Sequence, residues 1–296
     1  FNIKSKNSSK RTCLHFACQK DSLPLVDYLV HLKGIDLTAK DSDGKTILQY
    51  SCKFSTSKVA KYLIGLGKFN LLSKDYFRNT LLHIASENGN FELVKYLIDL
   101  RQIDVTAKNE YRETILHKAC ESGNLELVKY LIELKQFDLK SKNYCDETLL
   151  HLATKSKNFE LLKYLIGFNQ IDVNAIDNHK NTILHLACEY DNLDQVKFII
   201  KLDQIDVSAK NKYGENALHF ACKNGILDIA KYLIGLNKIN IKDLNDSQES
   251  ILHLACKSGN EMLVKYIISL NVVDILSIND SKETILHPAA ESKNLN

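Results

Sequence analysis

Eight histidines recur along this 296-residue chain at 34 residues or a multiple of it: His15, His83, His117, His151, His185, His219, His253 and His287. Gln49 stands at the skipped place. Five of them precede a cysteine by three residues, as His185 precedes Cys188. One helical turn apart, imidazole and thiolate could supply half of a tetrahedral zinc site. A whole site needs four converging ligands, and slots repeated at a fixed interval run in parallel. No metal is expected. Catalysis fails by the same logic, because an active site needs a local gathering of base, nucleophile and oxyanion donors. Here the histidines and the recurring Asp36, Asp104, Asp138, Asp172, Asp206 and Asp274 belong to a pattern common to the copies. There is no glycine-rich phosphate cradle either. Neither enzymatic activity nor a cofactor is expected.

The interval belongs to a larger unit. Its anchors are Thr12, Thr46, Thr80, Thr114, Thr148, Thr182, Asn216, Ser250 and Thr284, always 34 residues apart. Such a period marks one supersecondary unit that buries its apolar face only against neighbouring copies. Full copies run over 12–45, 46–79, 80–113, 114–147, 148–181, 182–215, 216–249 and 250–283, with partial copies at 1–11 and 284–296. In the copy from Thr80, that threonine is a good N-cap, and Leu81, Leu82, Ile84 and Ala85 predict a short helix apolar on two sides. Asn90 caps a second helix with Leu93, Val94, Leu97 and Ile98 inward and Glu92 and Lys95 outward. The polar stretch 103–112 has no helical period and reads as an extended loop or hairpin finger. Cys18, Cys52, Cys120, Cys188, Cys222 and Cys256 share one slot, filled elsewhere by Ser86, Thr154 and Ala290. The slot therefore needs a small side chain, and reduced, buried thiols are expected. The partial copies at both ends are expected to make the chain a piece of a longer array.

Composition sets further bounds. The chain is 45% apolar and 25% charged, with a net charge of +3, too small to argue for nucleic acid. It has two prolines and no apolar run long enough to cross a membrane. A single-domain, monomeric, intracellular array, cytoplasmic or nuclear, is expected.

Tetratricopeptide units share this length but are helical throughout and expect a Trp, which the chain lacks. The runs Thr114-Ile115-Leu116-His117-Lys118-Ala119, Gly123-Asn124 and Asp138-Leu139-Lys140-Ser141-Lys142-Asn143 resemble the ankyrin repeat family, and the likeness extends over the whole chain. The resemblance implies a mostly α solenoid of paired antiparallel helices with hairpin or loop fingers, forming a curved, elongated array. It also implies that the motif histidine ties neighbouring loops through hydrogen bonds. Two departures stand out. The family's proline after Thr is Ile, Leu, Cys or Ala here, and one extra residue falls within 100–104, after the second helix.

Residues that differ between copies should carry the individual message. The middle finger tips are Tyr76-Phe77-Arg78, Glu110-Tyr111-Arg112, Tyr144-Cys145-Asp146, Asn178-His179-Lys180 and Lys212-Tyr213-Gly214. Five of these positions are Phe or Tyr, an enrichment typical of protein-binding surfaces. Fingers at the usual helix spacing would lie about 10 Å apart. The resemblance implies a second contact strip on the first helices, where Phe54 and Tyr190 stand out among polar residues such as Lys155, Lys223 and Lys257. The second-helix row of Lys61, Lys95, Lys129, Lys163, Lys197, Lys231 and Lys265 reads as a solvated face, its charge offset by acids one turn earlier. The Tyr beside it reads as inter-repeat packing. Leu150→Ala should cost about 2–5 kcal/mol, and Lys155→Ala under about 0.5 kcal/mol.

The reading is a non-catalytic protein–protein interaction scaffold that grips an unknown protein partner on a concave finger and inner-helix surface. Its candidate residues are Tyr76, Phe77, Arg78, Tyr111, Arg112, Tyr144, His179, Lys180, Lys212, Tyr213, Phe54 and Tyr190. An alternative is recognition of single-stranded RNA or another anion, with rings stacking on bases; acidic neighbours such as Glu110 and Asp146 oppose it. A third is a targeting or regulatory array of a larger enzyme or membrane protein.

Overall fold

The computed structural model describes residues 4–54 and 56–287; the Phe54 side chain and slot residue Ala290 lie outside the described residues. Those residues form sixteen α-helices and no strand, with two isolated antiparallel bridges, Lys40 with Thr46 and Ile278 with Thr284. The finger is thus a loop, not a β-hairpin. The chain divides into two compact units, Phe1–Tyr144 and Cys145–Asn296. The first holds α1 (Cys13–Gln19), α2 (Leu23–Val30), α3 (Ile47–Phe54), α4 (Ser57–Gly65), α5 (Leu81–Glu87), α6 (Phe91–Asp99), α7 (Ile115–Ser122) and α8 (Leu125–Glu133). The second holds α9 (Leu149–Lys155), α10 (Phe159–Ile166), α11 (Ile183–Glu189), α12 (Leu193–Ile200), α13 (Ala217–Lys223), α14 (Leu227–Gly235), α15 (Ile251–Ser258) and α16 (Glu261–Ser269). Within each copy the two helices pair antiparallel. Within each unit odd-numbered helices pack on the next odd one, as α5 on α7 and α13 on α15, and even on even, as α4 on α6 and α12 on α14.

Each first helix is started by its anchor and its histidine together. In α5 the Thr80 hydroxyl accepts from the His83 backbone N–H, and His83 Nδ1 accepts the Thr80 N–H at 3.3 Å. This is a capping box in which an imidazole replaces the usual Glu or Gln. Because Nδ1 accepts, the ring proton sits on Nε2, which donates to the Glu113 carbonyl of the next finger at 3.0 Å. His151 reaches the Asn181 carbonyl at 3.1 Å and His185 the Glu215 carbonyl at 3.0 Å. His15 faces the equivalent backbone at Lys45, and His117 and His219 face Ser141 and Asp243 earlier in the next finger, all without reaching hydrogen-bond geometry. Gln49 does both jobs with an amide: its Oε1 accepts the Thr46 N–H at 2.8 Å, and its Nε2 donates to the Ser73 and Asn79 carbonyls. The loop-tying role implied by the family resemblance is thus met at His83, His151 and His185.

The second helices are amphipathic, as the pattern predicts. Leu93, Val94 and Leu97 of α6 are buried while Glu92 and Lys95 face water. Asn90, Asn124, Asn158, Asn192 and Asn260 cap these helices by accepting from the backbone three residues on. Asn124 and Asn260 also donate back to the Gly89 and Gly225 carbonyls of the preceding copy, both at 2.7 Å. The cap is therefore also an inter-repeat tie. A left-handed residue closes the second helix in five copies, at Gly67, Arg101, Lys135, Asn237 and Asn271. One position breaks the pattern. Gln195 of α12 is fully buried where Leu93, Leu127 and Leu161 sit in other copies, and neither its amide oxygen nor its amide nitrogen has a partner.

Candidate partner-binding surface

Each finger closes on itself before it displays anything. The residue five before the anchor is Asn or Asp, and its Oδ1 accepts the N–H of the residue just before the anchor: Asp75 from Asn79 at 2.8 Å, Asn109 from Glu113 at 2.9 Å, Asn211 from Glu215 at 3.0 Å. The two side chains then bond to each other with complementary roles. Asn109, Asn211 and Asn245 donate to Glu113, Glu215 and Glu249, while Asn79 and Asn181 donate to Asp75 and Asp177. Each of these pairs has one amide and one carboxylate, in either order. Neighbouring clasps also join, Asn109 to Asn79 at 2.9 Å and Asn211 to Asn181 at 3.1 Å.

The glutamates of these clasps are buried and need a cation. Lys118 meets Glu113 at 2.8 Å, Lys223 meets Glu215 at 3.0 Å, and Lys155 and Lys257 pair with Glu147 and Glu249. Burial pushes the Glu249 carboxyl up, and the bonds from Lys257 and Asn245 outweigh it, leaving the group below its ordinary value. Burial likewise disfavours the charged Lys118, but its bond to Glu113 more than compensates and its pKa rises. Where the finger ends in Asn (Asn79, Asn181), the first-helix position that holds Lys53, Lys155, Lys223 and Lys257 in other copies holds Glu87 or Glu189 instead. This revises the inner-helix strip. Lys155, Lys223 and Lys257 are paired to their own fingers, and removing Lys155 strips a buried carboxylate of its partner.

One backbone hydrogen bond joins each finger tip to the previous one. Tyr76 N–H donates to Asp43 O, Glu110 to Phe77 O and Tyr144 to Tyr111 O in the first unit. Asn178 donates to Cys145 O, Lys212 to His179 O and Asp246 to Tyr213 O in the second. The last tip residue is left-handed throughout: φ is 62° at Arg78, 59° at Arg112 and Lys180, 76° at Gly44 and 71° at Gly214. Glycine here makes room as well as relieving strain, since a Cβ on Gly44 would lie 2.5 Å from a Tyr76 ring carbon. The tip charges of Arg78, Arg112 and Lys180 thus sit on a strained turn position, a fact the residue types did not signal.

In the first unit the tip side chains form a contiguous row. Tyr76 covers Gly44, Phe77 stacks on Tyr111 with centroids 5.9 Å apart, and the Arg112 guanidinium lies 5.8 Å from the Tyr144 ring centre. Tyr76 and Tyr144 remain 63% and 66% exposed, and Arg78 is exposed beside them. In the second unit His179 stacks on Tyr213 at 6.0 Å, and the Lys212 ammonium lies 5.5 Å from the same ring. His179, Lys180, Lys212 and Tyr213 are all exposed. The stacked rings are thus nearer than the roughly 10 Å expected from helix spacing, on fingers whose backbones are also hydrogen-bonded. Tyr190, at the end of α11, is half-buried. The Phe54 side chain is outside the described residues.

The lysine row also differs from a purely solvated face. Lys61, Lys197 and Lys231 place their ammoniums 5.3, 5.8 and 5.4 Å from the ring centres of Tyr96, Tyr232 and Tyr266 in the next copy. These are cation–π contacts between repeats. Lys163 pairs with Glu160 at 2.9 Å as the spacing predicts.

The six slot cysteines are buried, Cys13 and Cys145 are exposed, and none of the eight is in a disulfide. Burial pushes the Cys18 and Cys52 thiols up to about 12. Among the described residues no three His, Cys, Asp or Glu gather to hold a metal ion, and no helix is long and apolar enough to cross a membrane.

No curated protein matches the chain. A family model for ankyrin repeats, three copies long, matches residues 1–75, 66–143, 82–177, 134–211 and 150–245. These matches span more than half of the chain and overlay the capped helix pairs and linked fingers described above. The chain belongs to the ankyrin-repeat family, a scaffold class built for protein–protein contacts and not associated with catalysis.

Proposed function

We propose that the chain binds a protein partner on its finger tips and first-helix surface, with Tyr76, Phe77, Arg78, Tyr111, Arg112 and Tyr144 as contacts in the first unit. His179, Lys180, Tyr190, Lys212 and Tyr213 serve in the second. One observation carries the reading: large aromatic side chains stay exposed, from 38% at Phe77 to 66% at Tyr144, on tips whose backbones are bonded to one another. Aromatics held in place lose little side-chain entropy on binding, which favours them as interface anchors. Stacking on nucleic-acid bases is less well supported, because Phe77 and Tyr111, and His179 and Tyr213, already turn ring faces to each other.

The test is the Tyr76, Tyr111, Tyr144, Tyr213 quadruple alanine variant of the whole chain. It is expected to melt like the parent and to lose a defined subset of the proteins that the parent retains from a lysate. An unchanged set of retained proteins refutes the assignment of the surface.

A further inference from the structure

The tips of the second unit carry a charge pattern that neither the scaffold nor the aromatic row explains. Lys180 and Lys212 stand on adjacent fingers whose backbones are bonded, Lys212 N–H to His179 O at 2.8 Å. The carboxylates nearest in sequence are already engaged: Asp177 holds Asn181, and Glu215 holds Asn211 and Lys223. Among the described residues neither Lys180 nor Lys212 is in an ion pair, although Lys210, two residues away, pairs with Asp243 at 3.1 Å. Beside them His179 and Tyr213 stack, the Tyr213 hydroxyl 3.4 Å from His179 Nδ1. Acids bound the pair on both sides. Asp146 is on the preceding tip, and Asp246 follows so closely that a Cβ on Gly214 would lie 2.4 Å from its Oδ1. Along the four tips from Asp146 to Asp246 the order is negative, positive, positive, negative.

From this order we infer that the second unit receives an extended protein segment with two acidic residues two positions apart, flanked at the same interval by basic residues. The inference rests on the finger tips being a protein-binding surface and adds the chemistry of the partner there. The interval follows from geometry. The rings that neighbour the two lysines, His179 and Tyr213, are 6.0 Å apart, close to the about 6.6 Å between alternate, same-facing residues of an extended strand. Two carboxylates at that spacing meet Lys180 and Lys212, with His179 and the Tyr213 hydroxyl as further hydrogen-bonding groups. The flanking basic residues meet Asp146 and Asp246. A polyanion with charge at every unit would run against both acids, so the pattern selects a mixed-charge peptide over an RNA strand.

Two peptides of zero net charge test this on the isotopically labelled whole chain: acetyl-Lys-Ser-Glu-Ser-Glu-Ser-Lys-amide and its charge reversal, acetyl-Glu-Ser-Lys-Ser-Lys-Ser-Glu-amide. The first is expected to shift the backbone amides of 178–180 and 212–214, and the reversal to leave them in place. Lys180→Gln with Lys212→Gln weakens the response roughly fivefold, the loss expected for two exposed ion pairs. Lys201→Gln with Lys238→Gln, of equal charge change on exposed sites elsewhere in the unit, leaves it intact. Equal responses to the two peptides, shifts centred on other amides, or a comparable response to a short oligouridylate overturn the inference. If the acidic peptide fails while the quadruple tyrosine variant still loses its retained proteins, only the partner chemistry falls. If that variant changes nothing, the surface itself was misassigned.

Discussion

In the first unit the fingers at Tyr76–Arg78 and Glu110–Arg112 present Tyr, Phe and Arg. In the second, the fingers at Asn178–Lys180 and Lys212–Gly214 present His, two Lys and one Tyr. The loops beneath them are the same. Each closes with an Asn or Asp clasp, links to its neighbour by one backbone hydrogen bond and ends in a left-handed residue. The difference teaches that this loop fixes backbone direction without constraining the tip side chains, so the tips can vary with little effect on the fold. Below the tips the second unit buries an unsatisfied polar side chain, Gln195, where the equivalent residues of the first unit include Leu93 and Leu127.

Acidification should have the largest effect, and it should strike both units alike. Burial lowers the pKa of His15, His83 and His117 in the first unit and of His151, His185 and His219 in the second, with His117 falling to about 4. Each Nδ1 accepts a backbone N–H, so an added proton has nowhere to point. In the unfolded chain these groups titrate near 6.5. Between that value and the lowered folded ones the unfolded state binds more protons, so stability is whole above about pH 6.5 and drains away as pH falls toward 4. Denaturation midpoints across that window, with hydrogen exchange resolved by unit, check the symmetry. His117→Gln, copying Gln49, should soften the acid loss in the first unit alone.

Core truncation comes next. Leu82→Ala and Leu150→Ala, both fully buried, should each cost about 2–5 kcal/mol in urea unfolding. A much smaller loss in either unit breaks their equivalence. Lys118→Ala should cost about 3 kcal/mol, because it leaves Glu113 buried without its cation. Lys155→Ala should cost about 1 kcal/mol, since that lysine is nearer water. The surface reading from sequence expects under about 0.5 kcal/mol at Lys155, so the measurement separates the two views.

Gln195→Leu sharpens the contrast from the other side. It removes two unsatisfied polar atoms from the second unit and should raise stability by about 1–3 kcal/mol. The same melting experiment on Leu93→Gln should reproduce the defect in the first unit. The smallest effects belong to the tips: Tyr111→Ala and Tyr213→Ala should each change stability by under about 0.5 kcal/mol. A larger loss would mean that these rings support the scaffold more than they serve a partner.

Most of the scaffold was legible in the residues. The Thr anchor, the inward Leu and Val, the capping Asn and the small slot after the histidine each reflect a local demand: an N-cap, an amphipathic face, a close helix contact. Repetition turned those weak local signals into a firm reading of paired helices. The Asn–Glu and Asp–Asn clasps were equally visible in type and spacing, and the signal that could have found them was the exchange of Glu and Asn before the anchor together with Lys and Glu on the helix. A helical period places Lys155, Lys223 and Lys257 on the helix surface and is silent about a loop folded back over it.

What the chain determined by itself is the unit and its interval, because caps and apolar periodicity act between residues a few positions apart. What only the folded arrangement decided is the use of each variable side chain. Whether a lysine pairs with a buried glutamate, sits over a tyrosine of the next copy, or stands open at a tip depends on atoms some eight to thirty-five positions away. Those distances are set when copies stack, and no local preference encodes them.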